Sequence, residues 1–293
     1  MTKQIVFIIN SIAHRFKSVD FAALIDRYLD KALYHYQIVY TQHANHAHDI
    51  AKVALENGVD IITAVGGDGT INQIGKALVN TPGTLGIIPF GSGNGLARHL
   101  GIPLDIPAAI SLLNADTFVV IDSAIINGYP FFGVSGIGFD ALVALKFASF
   151  GRRGLSSYIR IICREYFNYQ AESYHLIVDG REVDCKPFMI CFANSSQYGH
   201  GVRVAPNAKL NDGKLDLLIV TDAPWQAMPG LLYRSLCGGL EKSKHVMLTQ
   251  FSEVIVKKPR LQMHMDGEPI VFTDEITVRV VPASLKVMCH PTL

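Results

Sequence analysis

Four short apolar runs, IVFII (5–9), QIVYT (37–41), DIITAV (60–65) and TLGIIP (84–89), follow one another with helix-forming sequence between them. Runs of this length suit strands buried on both faces, and parallel neighbours need a crossover helix between them. Phe21, Leu24, Ile25, Tyr28, Leu29 and Ala32 recur at helical spacing, and Ile50, Val53 and Ala54 mark a second helix that Gly58 would stop. A third helix is predicted over residues 70–80, with Ile71, Ile74 and Leu78 on one face, and a short fourth over 94–100. The first 122 residues therefore predict an α/β domain built on a parallel sheet with helices on both faces.

After Asp122 the texture changes to short alternating or apolar runs such as SYHLIVDG, KPFMICFAN, GKLDLLIV and EITVRVVP, separated by Gly, Pro, Asn and Asp. This is the pattern of an all-β sandwich or barrel, broken by helical inserts near 141–168 and 225–240. No flexible linker marks the boundary.

Composition narrows the function. With 293 residues, 49% apolar and 17% charged, the chain is no disordered tail. Twenty-six basic against 25 acidic residues give a net charge of +1, which supplies no basic field and argues against a nucleic-acid partner. Mean hydropathy is high at +0.25. No run approaches the ~20 apolar residues of a membrane span, so the surplus belongs to a large core or to a surface that meets something greasy. Five scattered cysteines without a CxxC pair argue against a disulfide scaffold and for a reducing compartment. The opening MTKQIVFIINS reads as a first strand, too short for a signal peptide, so a cytoplasmic location is expected.

The sharpest chemical signal is Ala64-Val-Gly-Gly-Asp-Gly-Thr-Ile-Asn72, placed where a buried strand gives way to a helix. Its glycines allow close backbone approach and the helix N-terminus supplies N–H groups and a partial positive charge, which together cradle phosphate. Asp68 is out of place in a purely anion-binding loop and makes sense beside a divalent cation. A second loop, Pro89-Phe-Gly-Ser-Gly-Asn-Gly-Leu-Ala-Arg98, follows the next strand, so two glycine loops converge at the carboxyl edge of the sheet. There Ser92 can donate to a phosphate, and Asn94 can cap the short helix or touch substrate. No GK[ST] is present, so neither loop is a Walker motif.

Gly136-Ile-Gly138-Phe-Asp-Ala141 matches the dinucleotide fingerprint formally, but it lies in all-β sequence without the acidic residue that should follow. Asp212-Gly213, within Ala205-Pro-Asn-Ala-Lys-Leu-Asn-Asp-Gly-Lys-Leu-Asp216, marks a turn before a strand. Asp266-Gly267 reads as a hairpin turn, and Glu268 beside it as a carboxylate that could act as a base. His43, His46 and His48 open a helix at a spacing that fits no familiar metal site. Leu142, Val143, Leu145, Phe147 and Phe150 come just before Arg152 and Arg153, and Tyr158, Ile159 and Ile162 are interleaved with Arg160 and Arg164, a pattern that suits either an anionic bilayer or an ordinary packed helix.

GGDGT, the Pro-x-Gly-Ser-x-Asn loop, the Pro-Asn-Ala-x-x-x-Asp-Gly segment and Asp-Gly-Glu, in this order, resemble the diacylglycerol kinase catalytic family, which includes bacterial soluble lipid kinases and the sphingosine and ceramide kinases. The GSGN form is similar to the sphingosine kinase branch, and Gly95 stands where many bacterial relatives carry an acid. The resemblance implies an α/β ATP-binding domain (1–122), a β-sandwich lipid domain (123–282), an active site in the cleft between them, and a last segment, 283–293, that can return to the first domain. It implies ATP and Mg2+ as cofactors. Asn10, Thr41, Gly66, Gly67, Asp68, Gly69, Thr70, Ile71, Asn72, Gly91, Ser92 and Asn94 would surround the nucleotide, with Asp68 in the magnesium network. Asp212, the carbonyls of Lys209 and Lys214, and Asp122 would hold metal. Glu268 would be the general base, with Asp266 close by. The implied activity is phosphoryl transfer from ATP to a lipid hydroxyl, diacylglycerol-like or sphingoid, at a peripheral membrane surface touched transiently. A soluble acceptor such as NAD, or a non-catalytic nucleotide- or lipid-binding regulator, are the alternatives. Exposed strand edges leave room for a homodimer.

Overall fold

The computed structural model describes residues 2–11, 19–150, 155–221 and 223–290. The chain divides into two compact units, Met1–Ile121 with Ala283–Leu293, and Asp122–Pro282. The first unit runs β1 (Lys3–Ile9), α1 (Phe21–Tyr28), β2 (Tyr34–Tyr40), α2 (His46–Glu56), β3 (Ile61–Gly66), α3 (Asp68–Leu78), β4 (Thr84–Pro89), α4 (Gly95–His99) and α5 (Ile106–Leu113), and β5 (Phe118–Ile126) leads out of it. There follow β6 (Tyr129–Phe131), β7 (Val134–Gly138), α6 (Phe139–Ser149), α7 (Leu155–Glu165), β8 (Tyr174–Val178), β9 (Arg181–Cys185), β10 (Met189–Ala193), β11 (Gln197–Gly199), β12 (Val202–Arg203) and β13 (Leu215–Val220). The chain ends with α8 (Met228–Cys237), β14 (Val246–Phe251), β15 (Glu253–Lys257), β16 (Leu261–Met265), β17 (Glu268–Phe272) and β18 (Ile276–Met288).

In the first unit β2, β1, β3 and β4 pair in that order, all parallel, and Lys286 and Val287 at the end of β18 pair parallel with Thr84 and Leu85 of β4. Ile5 through Ile9 are each 3% exposed or less, because helices cover the sheet: α2 packs with α3, and α1 with α5. Each fully buried Ile or Phe of this kind is worth about 1.5–3 kcal/mol. The first helix stops at Tyr28, a turn short of the expected Ala32. There the Asn114 amide donates to the Tyr28 carbonyl, and Asp30 accepts the Ala32 N–H at 2.8 Å, a local bond that competes with helix. The third helix begins at Asp68 rather than Thr70. Helix α5 has no counterpart in the sequence reading, although Asp105 caps it and a proline lies in its first turn. Its run IPAAISLL is too apolar to show a polar stripe.

The second unit is a β-sandwich. One sheet contains β9, β8, β15 and β18, with β5 pairing β18 and β6; the other runs β14-β13-β10-β7-β16-β17. Alternate residues fill the space between them: Leu176, Val254, Val256 and Val278 from one sheet meet Ile190, Phe192, Leu217 and Met263 from the other. The first helical insert is two helices, α6 and α7, extended by a 3-10 turn at Tyr166–Asn168. Among the described residues no helix is long and apolar enough to cross a membrane.

Candidate active site

In the first unit β3 and β4 end side by side, with Gly66 opposite Pro89, and the Phe90 N–H donates to the Gly66 carbonyl at 2.7 Å. The two loops that follow touch backbone to backbone. A Cβ on Gly91 would lie 2.4 Å from Gly67 Cα and 2.8 Å from Asn94 Oδ1. Close approach, more than turn geometry, is what these glycines supply. At the same edge the Asn10 amide donates to Thr70 Oγ1 at 3.0 Å, and Thr41, at the end of β2, accepts the Ser11 N–H at 3.3 Å. Asn10, Thr41, Gly66, Gly67, Thr70 and Gly91 are therefore brought together at the carboxyl ends of parallel strands, where such sheets bind ligands.

Helix α3 has no side-chain cap. Its first turn keeps the dipole and N–H groups that attract an anion, and Asp68 and Gly69 lie there. Asp68 has a second occupation that the sequence did not reveal. Its two oxygens accept the N–H groups of Asn94 at 2.8 Å and Gly95 at 2.7 Å, so it caps α4 from the neighbouring loop. Asn94 does not make the side-chain cap expected of it. It is left-handed (φ 53°), and its amide clasps the Gly91 N–H and carbonyl instead. Gly95 thus works through its backbone N–H. Ser92 is exposed at the loop tip, whereas the Ile71 and Asn72 side chains are buried beneath α3. Arg98, to which the sequence reading gave no role, donates to the Gly93 carbonyl and brings a cation to the second loop.

In the second unit the remaining candidates other than Glu268 share one hydrogen-bonded hub. Asp122, 3% exposed, accepts the Gly213 N–H at 2.8 Å, and its own N–H donates to Leu210 at 2.6 Å. The turn carrying Lys209, Asp212 and Lys214 is thereby fixed against the start of the unit. The exposed Asp212 accepts the Lys214 N–H and the Gln250 amide, each at 3.0 Å, and the Lys214 ammonium reaches Ser252. Asp266 accepts the Phe132 and Gly133 N–H groups at 3.0 and 2.7 Å, another carboxylate devoted to backbone. Asn194, missed in the sequence, joins the two halves of the hub: its buried amide donates to the carbonyls of Asp122 and Phe132. Nothing local marks it, since its partners lie 72 and 62 residues away. Asp266 and Gly267 both have positive φ, the two-residue turn that suits a tight hairpin. Glu268 follows at the start of β17, exposed to solvent.

The first helical insert is packed, one of its two sequence alternatives. Leu142, Phe147, Phe150, Tyr158 and Ile162 pack among themselves around Phe139, Val143 and Ile161, so most of the apolar insert is its own small core. The outward residues are Leu145, Phe167, Trp225, Tyr233 and Leu236, with Phe167 and Trp225 in ring contact at 5.0 Å. Arg152 and Arg153 lie outside the described residues. The His43 and His46 rings stack at 4.4 Å at the mouth of α2. Among the described residues no group of three or more His, Cys, Asp or Glu is arranged to hold a metal ion.

Residues 4–125 match the model of the diacylglycerol kinase catalytic domain. Residues 133–289 match that of the YegS C-terminal NAD kinase beta sandwich-like domain. The chain belongs to the diacylglycerol kinase catalytic family. Within it, a Bacillus subtilis protein named diacylglycerol kinase is 31% identical over 238 residues, 77% of this chain and 75% of its own length. A Synechocystis relative, named only as uncharacterized, is 29% identical over 243 residues, 78% of this chain and 55% of its own length. A crystal structure titled as a diacylglycerol kinase from Bacillus anthracis superposes with a TM-score of 0.76 at 18% identity, covering 99% of this chain and 97% of that one. That likeness speaks to the fold alone. The first match falls mostly in the first unit and the second mostly in the second.

Proposed function

We propose that the protein is an ATP- and Mg2+-dependent lipid kinase that transfers the γ-phosphoryl group to the hydroxyl of a diacylglycerol-like or sphingoid lipid. The observation that carries this reading is the paired glycine loop. Two backbones in contact at Gly67 and Gly91 leave a surface free of side chains, and the α3 N-terminus beside it, without a side-chain cap, suits a polyphosphate, with Asp68 braced against the second loop. Phosphoryl transfer needs mostly positioning and neutralised charge. Asn10, Thr41, Thr70 and the two loops would seat the phosphates, and Ser92 would donate from the loop tip. Glu268, exposed and unconsumed by backbone, would take the hydroxyl proton of the acceptor once the lipid covers it, which Asp266, held by Phe132 and Gly133, cannot do as freely.

The groups at the Asp212 turn that could ligate a metal are carboxylate and carbonyl oxygens, the donor set of a hard cation. Nearby in the hub the Asn194 Oδ1 is buried without a hydrogen-bond partner. Asp212, Asp122 and the carbonyls of Lys209 and Lys214 would hold Mg2+, which neutralises charge on phosphate when bound. The exposed Phe167, Trp225, Tyr233 and Leu236 suit a transient contact with a membrane surface from the cytoplasmic side. The test is mass spectrometry of lipid extracts, and of NAD in parallel, after incubation with the protein, ATP and Mg2+. A lipid gaining one phosphate supports the reading. Phosphorylated NAD with unchanged lipids refutes it, and no product in either arm points to the non-catalytic alternative.

A further inference from the structure

Behind the Asp266–Gly267 turn lies a buried polar cluster with no part in the mechanism above. Asp140, in the first turn of α6, and His264, in β16, are 3% and 1% exposed and meet at 2.7 Å through Oδ2 and Nε2. Tyr198 and Cys191 donate to the same carboxylate oxygen. Burial alone would raise the Asp140 carboxyl, but His264 and these donors outweigh it and hold the group below its usual range. The site is built around the pair. His264 stands opposite Gly136 in the ladder, and a Cβ on Gly136 would lie 2.0 Å from Asp140 Oδ2. This accounts for the glycines that mimic a dinucleotide fingerprint: Gly136 clears space for the pair, and Gly138 (φ 79°) turns the strand into α6.

The other ring nitrogen reaches the turn. His264 Nδ1 accepts the Gly267 N–H at 3.3 Å. A backbone N–H can only donate, so Nδ1 carries no proton and Nε2–H points at Asp140. Charge on Asp140 thus selects the tautomer that can hold Gly267. Asp266 is tied to Phe132 and Gly133 on one side of the turn and Gly267 to His264 on the other, and Glu268 is the next residue.

We infer that Asp140 and His264 are positioning residues for Glu268: the pair locks the imidazole tautomer that anchors Gly267 and so aims the carboxylate that takes the proton. The inference rests on Glu268 being the base. A buried ion pair kept only for fold specificity would make the same contacts, so the test separates the two nitrogens. In His264→Asn, Oδ1 can replace Nδ1 and keep Gly267. In His264→Gln, Nε2 can replace the donor to Asp140 while Gly267 is released. With diacylglycerol in mixed micelles, His264→Asn is expected within about threefold of the parent kcat. His264→Gln is expected to fall about 10- to 100-fold at unchanged KM for ATP, as for a reacting group displaced by about 1 Å. Equal kcat losses in the two variants, tracking their melting temperatures, would overturn the inference, as would parent-like kcat in His264→Gln while Glu268→Gln is dead. Full turnover by Glu268→Gln removes the base and this inference together. Nitrogen NMR of the unmodified protein needs no variant to fold: a neutral ring protonated at Nε2 supports the arrangement, and one protonated at Nδ1 refutes it.

Discussion

Replacing Gly91 by alanine tests whether close loop approach is the reason for the glycines. Gly91 has no left-handed backbone requirement, so the effect must come from the added methyl group. That carbon would sit 2.4 Å from Gly67 Cα, a backbone atom that no rotamer change can move aside. Reaching an ordinary contact of about 3.5 Å requires the β3–α3 and β4–α4 loops to part by roughly 1 Å. Overpacking of this kind costs about 1–3 kcal/mol. A shift of that size in a site built on positioning should also weaken nucleotide binding or turnover by about 10- to 100-fold. Gly230→Ala in α8 is the control, because a Cβ there meets nothing within 4 Å. It should be neutral or stabilising by about 0.5–1 kcal/mol. Urea unfolding and ATP titration by calorimetry read both quantities. If Gly91→Ala matched the parent in midpoint and affinity, close packing would not be why glycine stands there.

Asp68→Asn should destabilise the nucleotide-free protein by about 1.5–3 kcal/mol, since an amide cannot accept both N–H groups of α4; an unchanged urea midpoint would make the brace energetically empty. Asn194→Leu should cost about 2–4 kcal/mol, because two buried carbonyls lose their donor, and a parent-like melting temperature would contradict this. His99 has its pKa lowered from 6.5 to about 4 by burial. The unfolded chain therefore binds the proton first, and stability should fall as pH drops from about 6.5 towards 4 and be unaffected by this group above that window. In His99→Gln that portion of the acid loss should vanish from urea midpoints measured across the window; an unaltered profile would show that His99 does not titrate in this way.

Local sequence carried much of the first unit. IVFII, DIITAV and TLGIIP are apolar on both sides because each strand is covered on both faces, and the loops after the last two announce themselves by glycine content. Even there, IPAAISLL carries no legible period, since a helix sunk among neighbours loses the polar stripe that reveals it. What only the tertiary structure decided is how the polar groups are used. Asp68 and Asp266 look like reactive carboxylates in the sequence, yet each holds backbone N–H groups 26 and 134 residues away. Asp140 and His264 stand 124 residues apart and meet only because β16 pairs with β7. Apolar periodicity records which face of one element is buried, a local property. A hydrogen bond across a fold depends on two elements at once, and neither stretch of sequence contains the other's geometry.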